Sequence, residues 1–322
     1  MIQLGYALSS EEHPPNDLVH FAQRAEEIGF DFAMISDHYH PWISAQGQSP
    51  FVWSVIGAIA QTTTRLRLGT GVTCPIIRIH PAILAQATAT VATMMPGRFF
   101  FGVGAGENLN EHILGDRWPP YDLRIEMLEE AVEVIRLLWE GKTQSHWGTY
   151  YTVEDAHLFT HPDEPPAIMV AAGGSNSAEA AGQFGDGMIT VGPHQQLIDK
   201  FHRTGGEEMP CYGQLTVCWA NDAKTARRTV HEQWPNSGLT GEMTQELRTV
   251  THFEQAVKMV TEERAVEHVV CGPDVQEYLE NLRKFVDAGY DYVYLHQIGD
   301  DQEGFFHFCQ KELLPQVERR LQ

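Results

Sequence analysis

An acid, two imidazoles and an indole are packed into residues 36–42, which read Ser-Asp-His-Tyr-His-Pro-Trp. The segment directly follows a short apolar run at 32–35 that is typical of a strand. Asp37 can orient the ring of His38, the histidine titrates near neutral pH, and Trp42 can exclude water. Taken singly, the histidine and the tryptophan would also fit a loop with ordinary core packing. Together they indicate an acid–base site at a strand end.

Two glycine-rich segments end further strands. Residues 102–107 read Gly-Val-Gly-Ala-Gly-Glu, but a dinucleotide fingerprint needs a third glycine where Glu107 stands, and no helix plainly starts there. We therefore expect backbone to approach a flat ligand here, with Glu107 facing the cavity. Residues 171–175 read Ala-Ala-Gly-Gly-Ser between a strand and a helix. They would leave backbone N–H groups free to bind a phosphate, although a Ser or Asn N-cap fits the local pattern equally well.

Weaker signals of the same kind follow other strands. Residues 69–75 read Gly-Thr-Gly-Val-Thr-Cys-Pro, and their glycines would allow a bulge that pushes backbone into the cavity. Thr190 and Gly192 follow one further predicted strand, and Glu11 follows another. Most strand ends therefore carry a small or polar candidate residue.

The elements that position these residues alternate along the chain. Apolar runs predict eight strands, at 2–6, 32–35, 66–73, 99–103, 168–171, 187–191, 214–219 and 292–296. Amphipathic spacing predicts helices at 16–28, 82–95, 125–139, 177–184, 275–288 and 305–321, several of them closed by glycine. The helix-to-strand turns are short and the strand-to-helix loops are long. This pattern predicts an α/β fold, a (β/α)₈ TIM barrel with its active site at the C-terminal ends of the strands.

Two segments are longer than the loops of an ordinary (β/α)₈ barrel. We expect both to be insertions at the C-terminal face. Residues 142–166 hold a predicted hairpin around Gly148, and 223–264 form a helical insertion before the last βα unit. Loops of this length in a compact barrel usually act as functional lids. Since no linker or repeat divides the chain, residues 1–322 are expected to form a single domain.

Composition excludes several classes of function. The formal net charge of −21 argues against nucleic-acid binding, which needs a basic surface. No apolar run approaches the roughly 18 residues of a membrane span, and the first residues do not form a signal peptide. The five scattered cysteines are an odd number and are interpreted as free thiols. We therefore expect a cytoplasmic protein without a membrane partner.

Metal chemistry is a rival interpretation of the first segment. His38 and His40 have the spacing of the paired zinc ligands in barrel metallohydrolases. In those enzymes, however, the pair follows the first strand, whereas here it follows the second, and His194 is the one well-placed further ligand. We expect no metal site and a structural role for His40.

Taken together and in this order, the motifs at 36–42, 102–110 and 171–174 resemble the luciferase-like family. Within it they are most similar to the group of F420-dependent glucose-6-phosphate dehydrogenases and secondary alcohol dehydrogenases. The resemblance covers nearly the whole chain and is weakest in 195–265. It implies a (β/α)₈ barrel, usually a homodimer, that binds the deazaflavin coenzyme F420 and transfers a hydride between it and an alcohol or sugar.

The resemblance also implies roles for single residues. His38 would be the acid/base at the substrate hydroxyl, Trp42 would shape the pocket, Glu107 would assist proton transfer, and Glu11 would lie at the pocket. The residues matched to coenzyme binding are Asp37, Val72, Cys74, Asn110, Ala172, Gly173, Gly174, Thr190 and Gly192.

The sequence departs from the family pattern at positions that would contact the substrate. Sugar-phosphate dehydrogenases of the group hold the phosphate with basic residues, but Pro193 and Glu267 stand at the matching positions here. Lys200, Arg203 or Lys258 could substitute if they point inward. We expect an uncharged or non-phosphorylated alcohol or carbonyl substrate. An FMN-dependent monooxygenase of the same superfamily and a non-catalytic cofactor-binding protein remain the alternatives.

Overall fold

The computed structural model describes residues 2–321. Its strands are β1 (Gln3–Leu8), β2 (Phe32–Ile35), β3 (Arg67–Thr70), β4 (Phe99–Val103), β5 (Gln144–Trp147), β6 (Thr152–Ala156), β7 (Ile168–Ala171), β8 (Gly187–Val191), β9 (Cys211–Cys218), β10 (Val270–Cys271) and β11 (Tyr292–Gln297). Its α-helices are α1 (Pro15–Ile28), α2 (Val52–Thr62), α3 (Pro81–Met94), α4 (Asn108–Glu111), α5 (Tyr121–Trp139), α6 (Ser175–Phe184), α7 (Gln195–Phe201), α8 (Ala223–Gln233), α9 (Met243–Glu246), α10 (Val250–Val257), α11 (Glu262–Ala265), α12 (Val275–Ala288), α13 (Gln302–Phe308) and α14 (Leu314–Arg320).

Eight parallel strands close into a barrel. They follow one another in the order β1, β2, β3, β4, β7, β8, β9 and β11, and β11 pairs back onto β1. The short β10 extends the carboxyl end of β9 through the pair Val270 and Val217. All eight predicted strands are confirmed, and the (β/α)₈ barrel with them. Since the strands are parallel, their carboxyl ends meet at one mouth.

Large and small side chains alternate inside the barrel. The rings of Phe32, Phe100 and Tyr212 fill its centre and are almost fully buried. Glycines in neighbouring strands make room for them: a Cβ on Gly69 would lie 2.1 Å from the ring of Phe100, and a Cβ on Gly5 2.5 Å from the ring of Phe32. The barrel is therefore a packed core, and open space begins only at its mouth.

The structure differs from the sequence predictions at four helices, one of which is the unpredicted α7. The helix α2 was not predicted, because its sequence is apolar almost throughout and lacks a clear polar face. The predicted helix at 305–321 is interrupted by a π-helical turn at Cys309–Leu313, next to Pro315, which has no N–H to donate. The one-turn helix α4 begins directly after Glu107, where no helix was expected.

Both predicted insertions are confirmed. The strands β5 and β6 pair antiparallel around Gly148, and α8 to α11 occupy the long segment before α12. The second insertion reaches over the mouth of the barrel, where Phe253 of α10 lies against Trp42 with ring centroids 5.1 Å apart. The hairpin was also expected at this face, but its residues do not line the cavity and pack against Glu130 of α5. Among residues 2–321, no helix combines the length and the apolar character needed to cross a membrane.

Candidate active site

A cavity of about 1050 Å³ opens at the carboxyl ends of the barrel strands. Twelve of the thirteen residues singled out from the sequence line it: Glu11, Asp37, His38, Trp42, Val72, Cys74, Glu107, Asn110, Ala172, Gly173, Thr190 and Gly192. The thirteenth, Gly174, is the N-cap of α6 and lies just behind the lining. The fold thus gathers into one cavity residues that are up to 181 positions apart in the chain, from Glu11 to Gly192.

His38 lies between two carboxylates at the centre of this cavity. Its Nε2 is 3.3 Å from Oε1 of Glu11 and 3.5 Å from Oε2 of Glu107. The ring of Trp42 covers it, with a centroid distance of 5.0 Å. Only 11% of the His38 side chain is exposed, so these neighbours determine its charge.

The charges of this trio depend on one another. Burial opposes a charge on His38, but the carboxylates of Glu11 and Glu107 outweigh it and raise the pKa of His38. Burial alone would raise the pKa of Glu11, yet the charge of His38 and a hydrogen bond from Ser36 lower it overall. The pKa of Glu107 stays raised, because burial exceeds the opposing effect of His38 and the charge of Glu11 adds to burial. The arrangement favours an ionised Glu11 beside a protonated His38.

Asn110 fixes the geometry of His38 and Glu107. Its Oδ1 accepts hydrogen bonds from the backbone N–H of Tyr39 (2.9 Å) and of His40 (3.2 Å), which orients the amide. Its Nδ2 then donates towards Oε2 of Glu107 at 3.0 Å and lies 3.1 Å from Nδ1 of His38. Although the sequence matched Asn110 to coenzyme binding, its contacts in the structure hold the acid–base groups in place.

Glu11 is held by serines of neighbouring strand ends. Ser36 donates to Oε2 of Glu11 at 2.5 Å, and Ser9 donates to the same oxygen at 3.3 Å. The backbone N–H of Ser10 donates in turn to Oγ of Ser36 at 2.9 Å. The carboxylate thus has a fixed direction, with Oε1 left to face His38.

Asp37 belongs to a buried ionic cluster. Arg78 donates from Nη2 to Oδ1 of Asp37 at 2.8 Å, and Thr73 donates to Oδ2 at 2.8 Å. The same arginine contacts Glu111 through its Nε (3.4 Å) and its backbone N–H (2.7 Å). Burial raises the pKa of Glu111 to about 7 even though Arg78 opposes the shift. Sequence analysis missed both Arg78 and Glu111, since no local pattern connects them to Asp37.

One wall of the cavity is apolar and is formed around Val72. The peptide bond between Gly71 and Val72 is cis, and the side chain of Val72 lies in the cavity wall. The backbone of the glycine-rich segment approaches it closely, since a Cβ on Gly104 would lie 2.8 Å from Cγ2 of Val72. Together with Ile189 at the barrel centre, this wall suits the face of a planar ring.

The N-terminus of α6 differs from the expectation in one respect. The N–H groups of Gly173 and Gly174 were expected to be free, but both donate to Oγ of Ser177, at 3.2 and 3.1 Å. Within residues 2–321, the N–H groups of Ser175 and Asn176 have no hydrogen-bond partner. Neither residue lines the cavity, and Ser175 lines a separate depression that also contains Lys200 and Arg203. An anion at this helix end would therefore meet amides two positions further along the chain than Gly173 and Gly174.

Several polar residues that were considered for metal binding or for binding a substrate phosphate lie outside the cavity. His40, for which a structural role was expected, donates from Nδ1 to the carbonyl oxygen of Leu109 at 2.9 Å and stacks on His112. Lys200 pairs with Glu179 at 2.6 Å and, with Arg203, lines a separate shallow depression. Within the described range no three His, Cys, Asp or Glu residues are grouped as metal ligands would be.

The lining residues that were not identified as site residues from the sequence include Trp234, Asn236, Lys284 and His296. The first two lie in the insertion, where the sequence pattern carried least information. His296 was visible as a polar residue at the end of the last strand, which is the signal that could have found it.

Comparison with known proteins agrees with this geometry. An F420-dependent glucose-6-phosphate dehydrogenase of Microbacterium testaceum is 33% identical over 332 aligned residues, covering 99% of this chain and 98% of the relative. A protein of the same name from Mycobacterium avium is also 33% identical, with the same coverage. The solved structure of an F420-dependent secondary alcohol dehydrogenase in complex with an F420-acetone adduct superimposes with a TM-score of 0.91 at 30% identity, covering 98% of this chain and 99% of that one.

The family assignment rests on most of the chain. Residues 1–292 match the family described as luciferase-like monooxygenase, and the relatives above align along nearly their full length. The similarity therefore covers the barrel as a whole. The chain belongs to the luciferase-like family.

Proposed function

We propose that this protein is an F420-dependent oxidoreductase that interconverts an alcohol and a carbonyl compound by hydride transfer. The observation that carries the proposal is His38 held between Glu11 and Glu107 beside an apolar wall, in a cavity large enough for a coenzyme and a substrate. The names of the relatives support the coenzyme, since the proteins of 33% identity and the structure of TM-score 0.91 are named as F420-dependent.

The residues present fit a deazaflavin. Val72 and the glycine-rich backbone packed against it would take the ring face. The unpaired N–H groups of Ser175 and Asn176 follow the cavity-lining Gly173 and would take a phosphate of the coenzyme side chain at the edge of the cavity. When bound, F420 supplies a carbon centre that accepts or delivers a hydride. The protein then has to orient the substrate, exclude water and move one proton.

His38 is the group that moves this proton in our proposal. In carbonyl reduction, the protonated ring donates from Nε2 to the substrate oxygen; in alcohol oxidation, the neutral ring accepts the hydroxyl proton. Glu11 sets the charge of the ring, Glu107 can exchange a proton with it, and Asn110 keeps both in position. Trp42 covers the reacting centre and keeps water away from it.

The pH dependence of the reaction tests the role of Glu11. In Glu11→Gln the carboxylate that raises the pKa of His38 is gone, so the pKa of His38 falls. Alcohol oxidation needs the neutral His38 ring, so the oxidation rate should reach its plateau at a lower pH than in the wild type. Carbonyl reduction needs the protonated ring, so the reduction rate should begin to fall at a lower pH than in the wild type. Rates in both directions across pH measure this. The exposed Glu133→Gln should leave both profiles unchanged, and equal profiles for both variants would contradict the role of Glu11.

The charge of the cavity favours an uncharged substrate. Among the described residues, Lys284 is the single lysine or arginine in the lining, against seven acids: Glu11, Asp37, Glu107, Glu111, Glu267, Glu277 and Glu280. Lys200, Arg203 and Lys258 do not line it. A phosphate dianion would find few compensating charges here. We therefore infer a non-phosphorylated alcohol or sugar, which a comparison of glucose with glucose-6-phosphate would test.

Separate titrations of the purified protein with F420, FMN and NADP test the coenzyme. We expect binding of F420 and reduction of bound F420 by an alcohol under anaerobic conditions. Tight FMN binding with oxygen consumption would instead support a monooxygenase, and F420 binding without turnover on any alcohol would support a carrier protein. A homodimer in the cytoplasm completes the proposal; it follows the family resemblance, and light scattering against the chain mass of 36.2 kDa tests the assembly.

A further inference from the structure

A second histidine–carboxylate pair lies in the same cavity and takes no part in the proposed proton transfer. Nε2 of His296 is 3.1 Å from Oε2 of Glu12, and both side chains are only 5% exposed. His296 lines the cavity whereas Glu12 does not, so the carboxylate lies behind the ring. Glu12 also accepts the backbone N–H of Gly299 at 3.2 Å, which fixes its position.

The barrel places this pair beside the first one. The strand β1 lies between β2 and β11, and the turn after it carries Glu11 and Glu12 in succession. Glu11 faces His38 after β2, and Glu12 faces His296 on β11. A substrate whose reacting carbon lies at His38 therefore has the His296 side of the cavity within reach of its neighbouring atoms.

The orientation of the His296 ring leaves one nitrogen for a ligand. The Glu12 carboxylate holds the N–H on Nε2 in the neutral ring, so Nδ1 carries a lone pair. Within residues 2–321, Nδ1 has no hydrogen-bond partner. The ring of Trp234 packs edge-on against His296 with centroids 4.5 Å apart, which restrains its plane.

A hydrogen-bond donor from the insertion complements this acceptor. Backbone N–H groups of Trp42 and Ile43 donate to Oε1 of Gln46, so its Nε2 is the atom that donates to Oδ1 of Asn236, at 3.1 Å. The Nδ2 of Asn236 is thereby directed elsewhere and has no partner in the described chain. Asn236 lines the same cavity as His296.

We propose that His296 and Asn236 form a subsite for a second, non-reacting hydroxyl group of the substrate, next to the carbinol that reacts. A hydroxyl group donates one hydrogen bond and accepts others, which matches a free acceptor on His296 and a free donor on Asn236. This inference rests on the proposed function and narrows it. The substrate class is a polyhydroxylated alcohol or unphosphorylated sugar, since a simple alcohol would leave both buried groups unpaired.

Kinetics on a matched substrate pair test the subsite. Glycerol has the secondary carbinol of 2-propanol with a hydroxyl on each neighbouring carbon. With F420, the wild type should show a kcat/KM about 10- to 100-fold higher for glycerol, the size expected for a buried polar pair that is satisfied or left unpaired. His296→Phe keeps a ring against Trp234, and Asn236→Leu keeps a side chain of similar size. Each variant should lose most of this preference: kcat/KM for glycerol should fall through KM, and kcat/KM for 2-propanol should rise because a bound simple alcohol no longer leaves that polar group unpaired. His20→Phe is the matched control, because His20 pairs with Glu303 on the exposed surface.

A binding measurement without coenzyme separates the subsite from the reaction. In saturation-transfer NMR, glycerol should bind the wild type and His20→Phe, and this signal should weaken in His296→Phe and Asn236→Leu. Equal losses for glycerol and 2-propanol, or a wild type without preference, would overturn the subsite while the oxidoreductase activity stands. If F420 neither binds nor is reduced, the proposed function fails; glycerol binding that depends on His296 would then still support the subsite, and its absence would overturn it.

Discussion

His38→Ala should lower kcat by about 10³-fold, within the range that positioned acid–base groups contribute, and leave F420 affinity nearly unchanged. The expectation follows from the contacts of the ring: Nε2 faces two carboxylates and the open cavity, whereas the apolar wall at Val72 and the amides of α6 lie on other strands. Hydride transfer without a proton acceptor would leave a charged oxygen in a buried site. Single-turnover reduction of F420 and a separate coenzyme titration measure the two effects.

A second histidine variant serves as the control. His307 lies exposed on α13, so His307→Ala should retain wild-type turnover and coenzyme affinity. Loss of F420 binding in His38→Ala, with turnover per bound coenzyme preserved, would assign the ring to coenzyme binding and would contradict its role as the acid/base. Because Asn110 holds the ring, Asn110→Ala should give a smaller loss of the same kind.

Arg78→Met should reduce the free energy of unfolding at pH 8 by about 3–5 kcal/mol, the cost of removing one partner from a buried ion pair. The side chains of Asp37 and Glu111 are each 1% exposed, and Arg78 is the cation that contacts both. Its removal leaves two buried carboxylates without a cation. Asp37 keeps the Thr73 hydroxyl as a neutral donor, and Glu111 keeps the backbone N–H of residue 78. Urea unfolding followed by tryptophan fluorescence measures the loss.

The pH dependence of this loss has a definite sign. A buried carboxyl with a raised pKa favours folding at low pH, and that contribution disappears as the pH rises from its unfolded value through its folded value. For Glu111 this window runs from the ordinary value of 4.5 to about 7. Without Arg78, which lowers it, the pKa of Glu111 rises above this value. Wild type and variant then lose stability together up to about pH 7 and differ above it, so the deficit of Arg78→Met should shrink as the pH falls from 8 to 5. The half-exposed pair of Arg136 and Asp186 gives the control, since Arg136→Met should cost no more than about 1 kcal/mol at either pH. Equal losses in both variants would contradict a stabilising role for the cluster.

The sequence predicted the barrel well because each strand is recognisable from its own residues. Phe32–Ile35 and Phe99–Val103 are short apolar runs that end at once in polar or small residues, and their observed bounds equal the predicted ones. The same feature found the site, since parallel strands bring His38 and Glu107 to one mouth whatever the details of the helices.

The parts of the candidate site that the sequence did not predict depend on contacts that only the folded chain shows. Arg78 stands in an apolar loop with no motif, and only the packed structure shows that it lies between Asp37 and Glu111. The sequence left open whether the amides of Gly173 and Gly174 are free or are capped by a polar side chain. In the structure both donate to the hydroxyl of Ser177. Asn236 reaches the cavity only because the insertion folds back across the barrel mouth.

Trp42 connects the candidate active site to the insertion. Its ring lies 5.0 Å from that of His38 on one side and 5.1 Å from that of Phe253 on the other. The side that excludes water from the reacting centre is therefore shared between the barrel and a helix of the insertion. Any motion that separates Phe253 from Trp42 to admit a substrate also wets His38, so dehydration of the site and enclosure of the substrate are one event rather than two.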